Sequence, residues 1–232
     1  MRILYRDEHV LVVDKPAGVL TVPGRRDASV ALSVAVREVA PEALPVHRLD
    51  RDTSGVLVFG LGRAAHRALN AAFEDRRAEK SYLALVEGDL AEARKIDLPL
   101  SAGRRGGMRA GGDLEAVTEV RPTERFGRYT WCTCLPRTGR THQIRVHLAA
   151  IGHPLAVDPR YGSPGPLRAR TLWAAAPDPE AVVLDRTPLH AASLRLPHPS
   201  GKGWLLVESP LPADLARCLD LLRAARRATS PG

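Results

Sequence analysis

The densest cluster of chemically competent side chains spans residues 47–55, His-Arg-Leu-Asp-Arg-Asp-Thr-Ser-Gly. It combines five charged or titratable groups with two hydroxyls, and it lies between Pro45 and the apolar run that begins at Val56. A turn that enters a buried strand is a place where a rigid scaffold presents reactive side chains. A polar turn that satisfies its own backbone would explain residues 52–55, so both interpretations stay open. A nucleophilic Ser54 with a histidine base is a further option, although no nucleophile-elbow pattern surrounds it.

A second cluster spans residues 138–147, Thr-Gly-Arg-Thr-His-Gln-Ile-Arg-Val-His. At the start of a helix, Arg140 and the helix N-terminus could bind a phosphate group. His142 and His147 are five residues apart, a spacing that does not place two metal ligands on one helix face. A metal-dependent hydrolase that uses these histidines with Asp158 is therefore the weaker alternative.

The elements that must position these clusters follow from the apolar periodicity of the chain. Predicted strands cover residues 3–5, 10–13, 56–59, 82–86, 115–121, 129–135, 190–196 and 204–208. Predicted helices cover residues 63–75, 141–151 and 212–228, the second beginning at Thr141 as its N-cap and ending at Gly152. Strands and helices that alternate without a regular βαβ repeat favour an α+β fold. We expect a large mixed, mainly antiparallel sheet flanked by helices.

Residues 101–113 contain five glycines and three arginines. Such a composition predicts a mobile basic loop, because the segment cannot bury apolar surface. The loop is either a tolerated insertion or an arm that binds phosphate through Arg104, Arg105 and Arg109.

The 232-residue chain has 34 Lys plus Arg against 26 Asp plus Glu, and its net charge is +8. Only four of the basic residues are lysines, and the arginine guanidinium matches phosphate through two hydrogen bonds. A nucleic-acid partner or a compositional bias would explain this charge. The chain shows no apolar run of membrane-spanning length and no signal peptide, and its three cysteines are too few for a disulfide framework. We therefore expect a soluble, cytoplasmic protein, with a monomer as the simplest state.

The run His-Arg-Leu-Asp-Arg-Asp-Thr-Ser-Gly-Val-Leu-Val-Phe resembles the signature of the RluA-type RNA pseudouridine synthases. Further blocks agree in order, at residues 80–88, 139–148 and 152–162, and the resemblance covers roughly residues 5 to 210. Several ordered motifs are far more specific than one short match. The resemblance implies the pseudouridine synthase fold. Many relatives carry an S4-type RNA-binding module before the catalytic domain, but here that domain begins within the first few residues, so we expect a single catalytic domain over residues 1–232 without an N-terminal S4 module.

The resemblance also implies an activity, the isomerisation of specific uridines to pseudouridine in structured ribosomal or transfer RNA. No metal or other cofactor is implied. Asp50 is the implied nucleophile, and Arg145 is the arginine that pairs with this carboxylate. Tyr82 is the aromatic side chain that stacks on the target base and assists proton removal. A catalytically inactive RNA-binding protein of the same fold is the alternative.

The remaining implied roles concern binding of the RNA. The target uridine must leave its stack, and Arg48 resembles the residue that takes the vacated space. A plain phosphate contact is the competing role for Arg48. Leu155 is implied as an apolar wall of the uracil pocket. His142 and Gln143 are expected to organise the helix start.

Overall fold

The structure is a computed structural model, and it describes residues 1–24, 31–103, 106–173 and 176–229. The chain divides into two compact units. The first unit contains Met1–Tyr82 and His190–Pro210, and the second contains Leu83–Leu189 and Leu211–Gly232. The single catalytic domain over residues 1–232 stays a prediction. None of the helices in the described ranges is long and apolar enough to cross a membrane.

The described residues form fourteen strands and five helices. The strands are β1 (Arg2–Arg6), β2 (Val10–Lys15), β3 (Ala43–Pro45), β4 (Ser54–Leu61), β5 (Glu79–Glu87), β6 (Arg94–Asp97), β7 (Leu100–Ala102), β8 (Met108–Ala110), β9 (Val117–Arg125), β10 (Tyr129–Pro136), β11 (Leu167–Arg168), β12 (Val182–Leu184), β13 (Leu189–Pro197) and β14 (Trp204–Glu208). The helices are α1 (Leu32–Val39), α2 (Gly62–Glu74), α3 (Gln143–Ala150), α4 (Ala169–Leu172) and α5 (Ala213–Thr229).

In the first unit, the strands lie in the order β1-β2-β4-β13, with β14 beside β13 and β3 beside β4. Alternating side chains of β2 and β4 point to opposite sides of these strands, because successive residues of a strand face opposite ways. Leu11 and Leu57 therefore pack into a core beside α1, whereas Val12 and Val58 pack into a second core that contains Leu69 of α2. Both sides of β4 are thus buried, which explains its uninterrupted apolar run.

Strands β4 and β13 run parallel, and this pairing depends on one glycine. Gly55 pairs with Ala191 and has a φ of +112°. A Cβ at position 55 would lie 2.1 Å from the Ala191 carbonyl oxygen. Only glycine fits this conformation and this approach of two backbones.

We predict that Gly55→Ala destabilises the protein by about 3 kcal/mol or more, because the methyl group would force the two strands apart. The matched control is Gly201→Ala, where φ is +77° but open space surrounds the added atom. Its cost should be about 1 kcal/mol, from backbone strain alone. Urea unfolding of both variants tests the difference, and equal losses would contradict the role given to Gly55.

In the second unit, the strands lie in the order β5-β10-β9-β6, and the pairs β10–β9 and β9–β6 are antiparallel. Helix α5 packs through Leu215, Leu219 and Leu222 into the core of this unit. The predicted C-terminal docking helix is therefore confirmed. The predicted fold class is confirmed as well, since antiparallel pairing dominates and the β4–β13 pair makes the pattern mixed.

The prediction of a loop over residues 101–113 is wrong for much of the segment. Strands β7 and β8 form a short antiparallel hairpin, in which Ser101 pairs with Arg109. The glycine-rich composition concealed Leu100, which is fully buried and anchors the first of these strands. Arg104 and Arg105 lie outside the described residues.

Candidate active site

The motif at residues 47–55 is anchored at its start by a neutral histidine. The Nε2 atom of His47 accepts a hydrogen bond from the Val58 backbone N–H at 3.1 Å, and its ring stacks on Phe73. Burial of the ring, with the nearby charge of Lys80, lowers the pKa of His47 to about 3. Burial also lowers the pKa of Lys80, to about 8. His47 is therefore uncharged at neutral pH, and its Nε2 atom acts as a fixed acceptor.

A buried serine–histidine pair holds the end of the motif. Ser54 Oγ lies 3.0 Å from His190 Nδ1, and His190 Nε2 lies 3.2 Å from the Ser209 carbonyl oxygen. Because a carbonyl only accepts, Nε2 donates to it and Nδ1 accepts from the Ser54 hydroxyl. Both side chains are buried. The pair therefore joins β4 to β13, and Ser54 is not presented as a nucleophile.

The backbone on both sides of Asp50 is held by two buried side chains. The Thr21 hydroxyl bonds to both backbone groups of Leu49, at 3.0 and 3.1 Å. On the other side, Lys15 Nζ donates to the Arg51 carbonyl oxygen at 2.9 Å. Sequence reasoning missed both residues, because nothing in their local pattern distinguishes them from an ordinary turn.

Two of the predicted catalytic residues lie close together in the first unit. Burial and the neighbouring charge of Asp50 raise the pKa of Tyr82 above its ordinary value. The Tyr82 side chain packs against the core that contains Leu49, and Asp50 itself is partly exposed. Next to it, the Arg48 side chain is exposed and makes no hydrogen bond or ion pair within the described part of the chain. A carboxylate, a protonated phenol and an exposed guanidinium thus belong to one unit.

In the second unit, helix α3 begins at Gln143, inside the cluster at residues 138–147. The prediction that Thr141 caps this helix is wrong, because His142 occupies the N-cap position with a φ of +52°. The Gln143 side chain takes over the anchoring. Its Oε1 atom accepts from the Arg140 backbone N–H at 3.0 Å and from the Thr138 hydroxyl at 2.7 Å. The expectation that His142 and Gln143 organise the helix start is confirmed.

Arg145 is a buried cation with a fixed partner. Its guanidinium donates two 2.8 Å hydrogen bonds to the two carboxylate oxygens of Asp158. Arg145 is 8% exposed and Asp158 0%, and the guanidinium also lies 5.2 Å from the ring centroid of Tyr161. Asp50 belongs to the other unit, so its pairing with Arg145 stays a prediction.

The charge of Asp158 is stabilised where it lies. Burial alone would raise the pKa of Asp158, but Arg145 and the backbone N–H groups of Arg160 and Tyr161 outweigh that effect and hold it below the ordinary value. The carboxylate is therefore ionised at neutral pH and keeps the guanidinium oriented. The sequence offered no spacing signal that would connect residues 145 and 158.

The two remaining predicted substrate residues have different environments. Leu155 is buried and forms a β-bridge with Val86. Arg140 is exposed, and its Nε donates to the Glu115 carbonyl oxygen at 3.0 Å. Leu155 thus fits an apolar wall, whereas Arg140 is accessible to a polyanion.

The metal-site alternative is not supported by the geometry. The two ring nitrogens of His147 face the Thr118 hydroxyl and the Leu98 carbonyl oxygen, while Asp158 pairs with Arg145. Within the described ranges, no group of three or more His, Cys, Asp or Glu side chains could hold a metal ion.

Comparison with known proteins identifies the family. The model of the family described as RNA pseudouridylate synthase matches residues 9–150 of this chain. The chain is 40% identical to the ribosomal large subunit pseudouridine synthase D of Nitrosomonas europaea over 96% of its own length. It is 38% identical to the ribosomal large subunit pseudouridine synthase C of Escherichia coli over 97% of its length. The chain therefore belongs to the RNA pseudouridylate synthase family. This membership confirms the enzyme class that the motifs predicted.

The lengths and the fold add to this comparison. The chain spans 65% of the Nitrosomonas protein and 70% of the Escherichia coli protein. A solved human structure, RNA pseudouridylate synthase domain containing 4, superposes with a TM-score of 0.77 at 22% identity, covering 96% of this chain and 93% of that one. At this identity the likeness shows the fold, and it confirms the predicted pseudouridine synthase fold.

The Arg145–Asp158 pair predicts a pH-dependent stability. Asp158→Asn should cost about 3–5 kcal/mol at pH 7, because it leaves a buried guanidinium without its counter-charge. The folded-state pKa of Asp158 is lowered, so the pair contributes fully above the unfolded-state value of about 3.9 and is lost as the pH falls below it. Urea unfolding between pH 7 and pH 3 should show the difference between native protein and variant shrinking with acidity.

Asp97→Asn is the matched control for this experiment. Asp97 is an exposed carboxylate whose partner, Lys95, lies 3.8 Å away. Its loss should change the free energy of unfolding by less than about 1 kcal/mol. An Asp158→Asn loss as small as that of the control, or one independent of pH, would contradict the assigned role of the pair.

Proposed function

We propose that this chain isomerises specific uridines to pseudouridine in large-subunit ribosomal RNA, with Asp50 as nucleophile. The observation that carries the proposal is the family match over residues 9–150, which includes Asp50, Tyr82 and Arg145. These two relatives are ribosomal large subunit pseudouridine synthases, which favours ribosomal over transfer RNA as substrate. With this substrate we expect a cytoplasmic enzyme that acts as a monomer.

The isomerisation of uridine suits a carboxylate whose backbone is fixed in position. The bond between the ribose and N1 of uracil breaks, the base turns, and the same ribose carbon forms a bond to C5. The C5 proton is lost to water while N1 takes up a proton. An ionised carboxylate can form a covalent bond with the substrate and leave again, so that one difficult exchange becomes two easier steps. The sequence of bond changes is redox-neutral. Asp50 is partly exposed on a backbone held from both sides, and this arrangement supports the role.

The protonation state of Tyr82 supports a role in binding the base rather than in removing the C5 proton. Because its pKa is raised, the phenol stays protonated at neutral pH. In this form it can stack on uracil and donate a hydrogen bond, but it does not accept the C5 proton. We assign Tyr82 to orientation of the base beside Asp50.

Arg48 is proposed to stabilise the RNA after the uridine leaves its stack. Extruding a base costs a few kcal/mol, and a planar guanidinium can recover part of that cost by stacking on the neighbouring bases. The exposed side chain of Arg48 directly precedes the Leu49–Asp50 peptide. Its position supports insertion into the RNA at the flipped nucleotide.

We predict that Asp50→Asn abolishes tritium release from RNA that contains 5-tritiated uridine, while circular dichroism and the unfolding midpoint stay unchanged. The amide keeps the shape of the side chain but is not a carboxylate nucleophile. Asp52→Asn, which removes the same charge two residues away, should retain activity. Full activity of Asp50→Asn would overturn the proposal, whereas RNA binding without any activity of the native chain would favour the non-catalytic alternative.

Two exposed arginines support binding of the RNA backbone in the second unit. The Tyr161 hydroxyl accepts from the Met108 backbone N–H and bonds to His142 Nδ1, both at 2.8 Å. This one hydroxyl joins the β7–β8 hairpin to the segment before α3. Arg109 follows Met108, and Arg140 lies two residues before His142, so both belong to the joined segments and both are exposed. Such a pair can bind phosphates without reading sequence.

We predict that the double variant Arg109→Gln and Arg140→Gln weakens RNA binding and lowers the slope of log K against log salt by about 1 for each arginine. The turnover number should stay within about twofold, because phosphate contacts position the RNA and do not react. The double variant Arg217→Gln and Arg227→Gln on α5 is the control with the same change of charge, because both arginines are exposed. It should leave the salt slope unchanged. Equal slopes for the double variant and the native protein would contradict this binding surface.

A further inference from the structure

We propose that Thr21 is a positioning residue for catalysis, which sets the location of Asp50 through the Leu49 backbone. The proposal rests on the assignment of Asp50 as the nucleophile. Thr21 does not touch the substrate in this scheme. It acts by fixing the peptide from which the nucleophile projects.

The contact between Thr21 and Leu49 satisfies two backbone groups at once. Thr21 Oγ1 accepts from the Leu49 N–H at 3.1 Å and donates to the Leu49 carbonyl oxygen at 3.0 Å. Thr21 is 2% exposed and Leu49 4%, so water cannot replace the hydroxyl. A buried peptide group without a partner costs about 1–3 kcal/mol, which makes this geometry strongly preferred over alternatives.

Thr21 is itself held by the first turn of α1. The Thr21 carbonyl oxygen accepts from the Ser33 N–H at 3.0 Å, and the Leu20 carbonyl oxygen accepts from the Leu32 N–H at 2.8 Å. These N–H groups have no partner inside the helix, because they belong to its first turn. Leu32 packs in the same core as Leu49. A continuous set of contacts therefore runs from α1 through Thr21 to the peptide before Asp50.

The peptide after Asp50 is held from the same stretch of chain. Lys15 Nζ donates to the Arg51 carbonyl oxygen at 2.9 Å, and Arg51 Nε donates to the Gly18 carbonyl oxygen at 3.2 Å. Lys15 is fully buried. Residues 15–21 are thus hydrogen-bonded to the residues on both sides of Asp50, whose side chain stays partly exposed. A fixed position of the Asp50 carboxylate matters for catalysis, since displacing a reacting group by about 1 Å can lower a rate about 100-fold.

The test compares Thr21→Val with Thr21→Ser. Valine keeps the volume but removes the hydroxyl, so the turnover number should fall about 10- to 100-fold while KM for the RNA changes less than about threefold. Serine keeps the hydroxyl, and its turnover number should stay within about threefold of native. Assays at a temperature well below both unfolding midpoints ensure that the folded enzyme is measured.

Thr130→Val provides a control for purely structural effects. Thr130 is fully buried, and its hydroxyl accepts from the Leu90 N–H at 3.0 Å and donates to the Gly88 carbonyl oxygen at 2.8 Å. Like Thr21, it accepts one hydrogen bond from a backbone N–H and donates one to a backbone carbonyl, but none of the proposed catalytic residues is adjacent to Thr130 in the sequence. Thr130→Val should lower the unfolding midpoint but leave the turnover number of the folded enzyme unchanged.

A native turnover number in Thr21→Val would overturn the proposal, as would equal losses in Thr21→Val and Thr130→Val. If the valine variant does not fold, Thr21→Cys serves instead, because a thiol is a weak hydrogen-bonding partner of similar size. An unchanged turnover number in that variant overturns the proposal as well. Activity in Asp50→Asn would refute the nucleophile itself, whereas an inactive Asp50→Asn beside a fully active Thr21→Val refutes only the role of Thr21.

Discussion

A buried peptide group must have a hydrogen-bonding partner, and around Asp50 this requirement organises the first unit. Leu49 is buried in the core, yet the next residue must expose a carboxylate. The backbone groups of Leu49 and Arg51 therefore take their partners from side chains of residues 15–21, at Thr21 and Lys15. The position of the turn is constrained because an alternative conformation would leave the buried backbone groups of Leu49 without a partner.

The same requirement explains the two ends of the motif. At the start of the motif, the uncharged His47 accepts a hydrogen bond from Val58 of β4. At its end, Ser54 is hydrogen-bonded to His190 of β13. Gly55 then allows two parallel strands to approach more closely than any side chain would permit. Within the motif, His47 and Ser54 are thus held by other elements, whereas Arg48 and Arg51 are exposed and Asp50 and Asp52 are partly exposed.

The charged side chains fall into two groups, a buried ion pair and a set of exposed arginines. Arg145 and Asp158 are buried together, and the cost of removing both charges from water is offset by two short, parallel hydrogen bonds. Arg48, Arg109 and Arg140 are exposed, where a charge costs little and remains available to phosphate. The net charge of +8 therefore combines structural cations with accessible ones, and only the latter support binding of RNA.

Local patterns predicted the elements whose signal is local. The apolar runs of β2 and β4 and the leucine spacing of α5 were readable because burial acts on each element separately. The hairpin at β7 and β8 was not, since its glycines and arginines outweighed Leu100 in any estimate made from composition. The N-cap at His142 was missed because Gln143 Nε2 also donates to the Val117 carbonyl oxygen and the Thr118 hydroxyl, two groups that β9 contributes from a distant part of the chain.

What the sequence by itself determined is the family, through ordered motifs, and with it the expected roles of Asp50, Tyr82 and Arg145. Motif order is a property of the chain, so it can be read without coordinates. Only the tertiary structure decided that Asp158 is a partner of Arg145, that Ser54 is buried against His190, and that Thr21 holds Leu49. Each of these contacts joins residues 13 to 136 positions apart. Sequence spacing carries no information about such pairs, because packing of the whole unit brings them together.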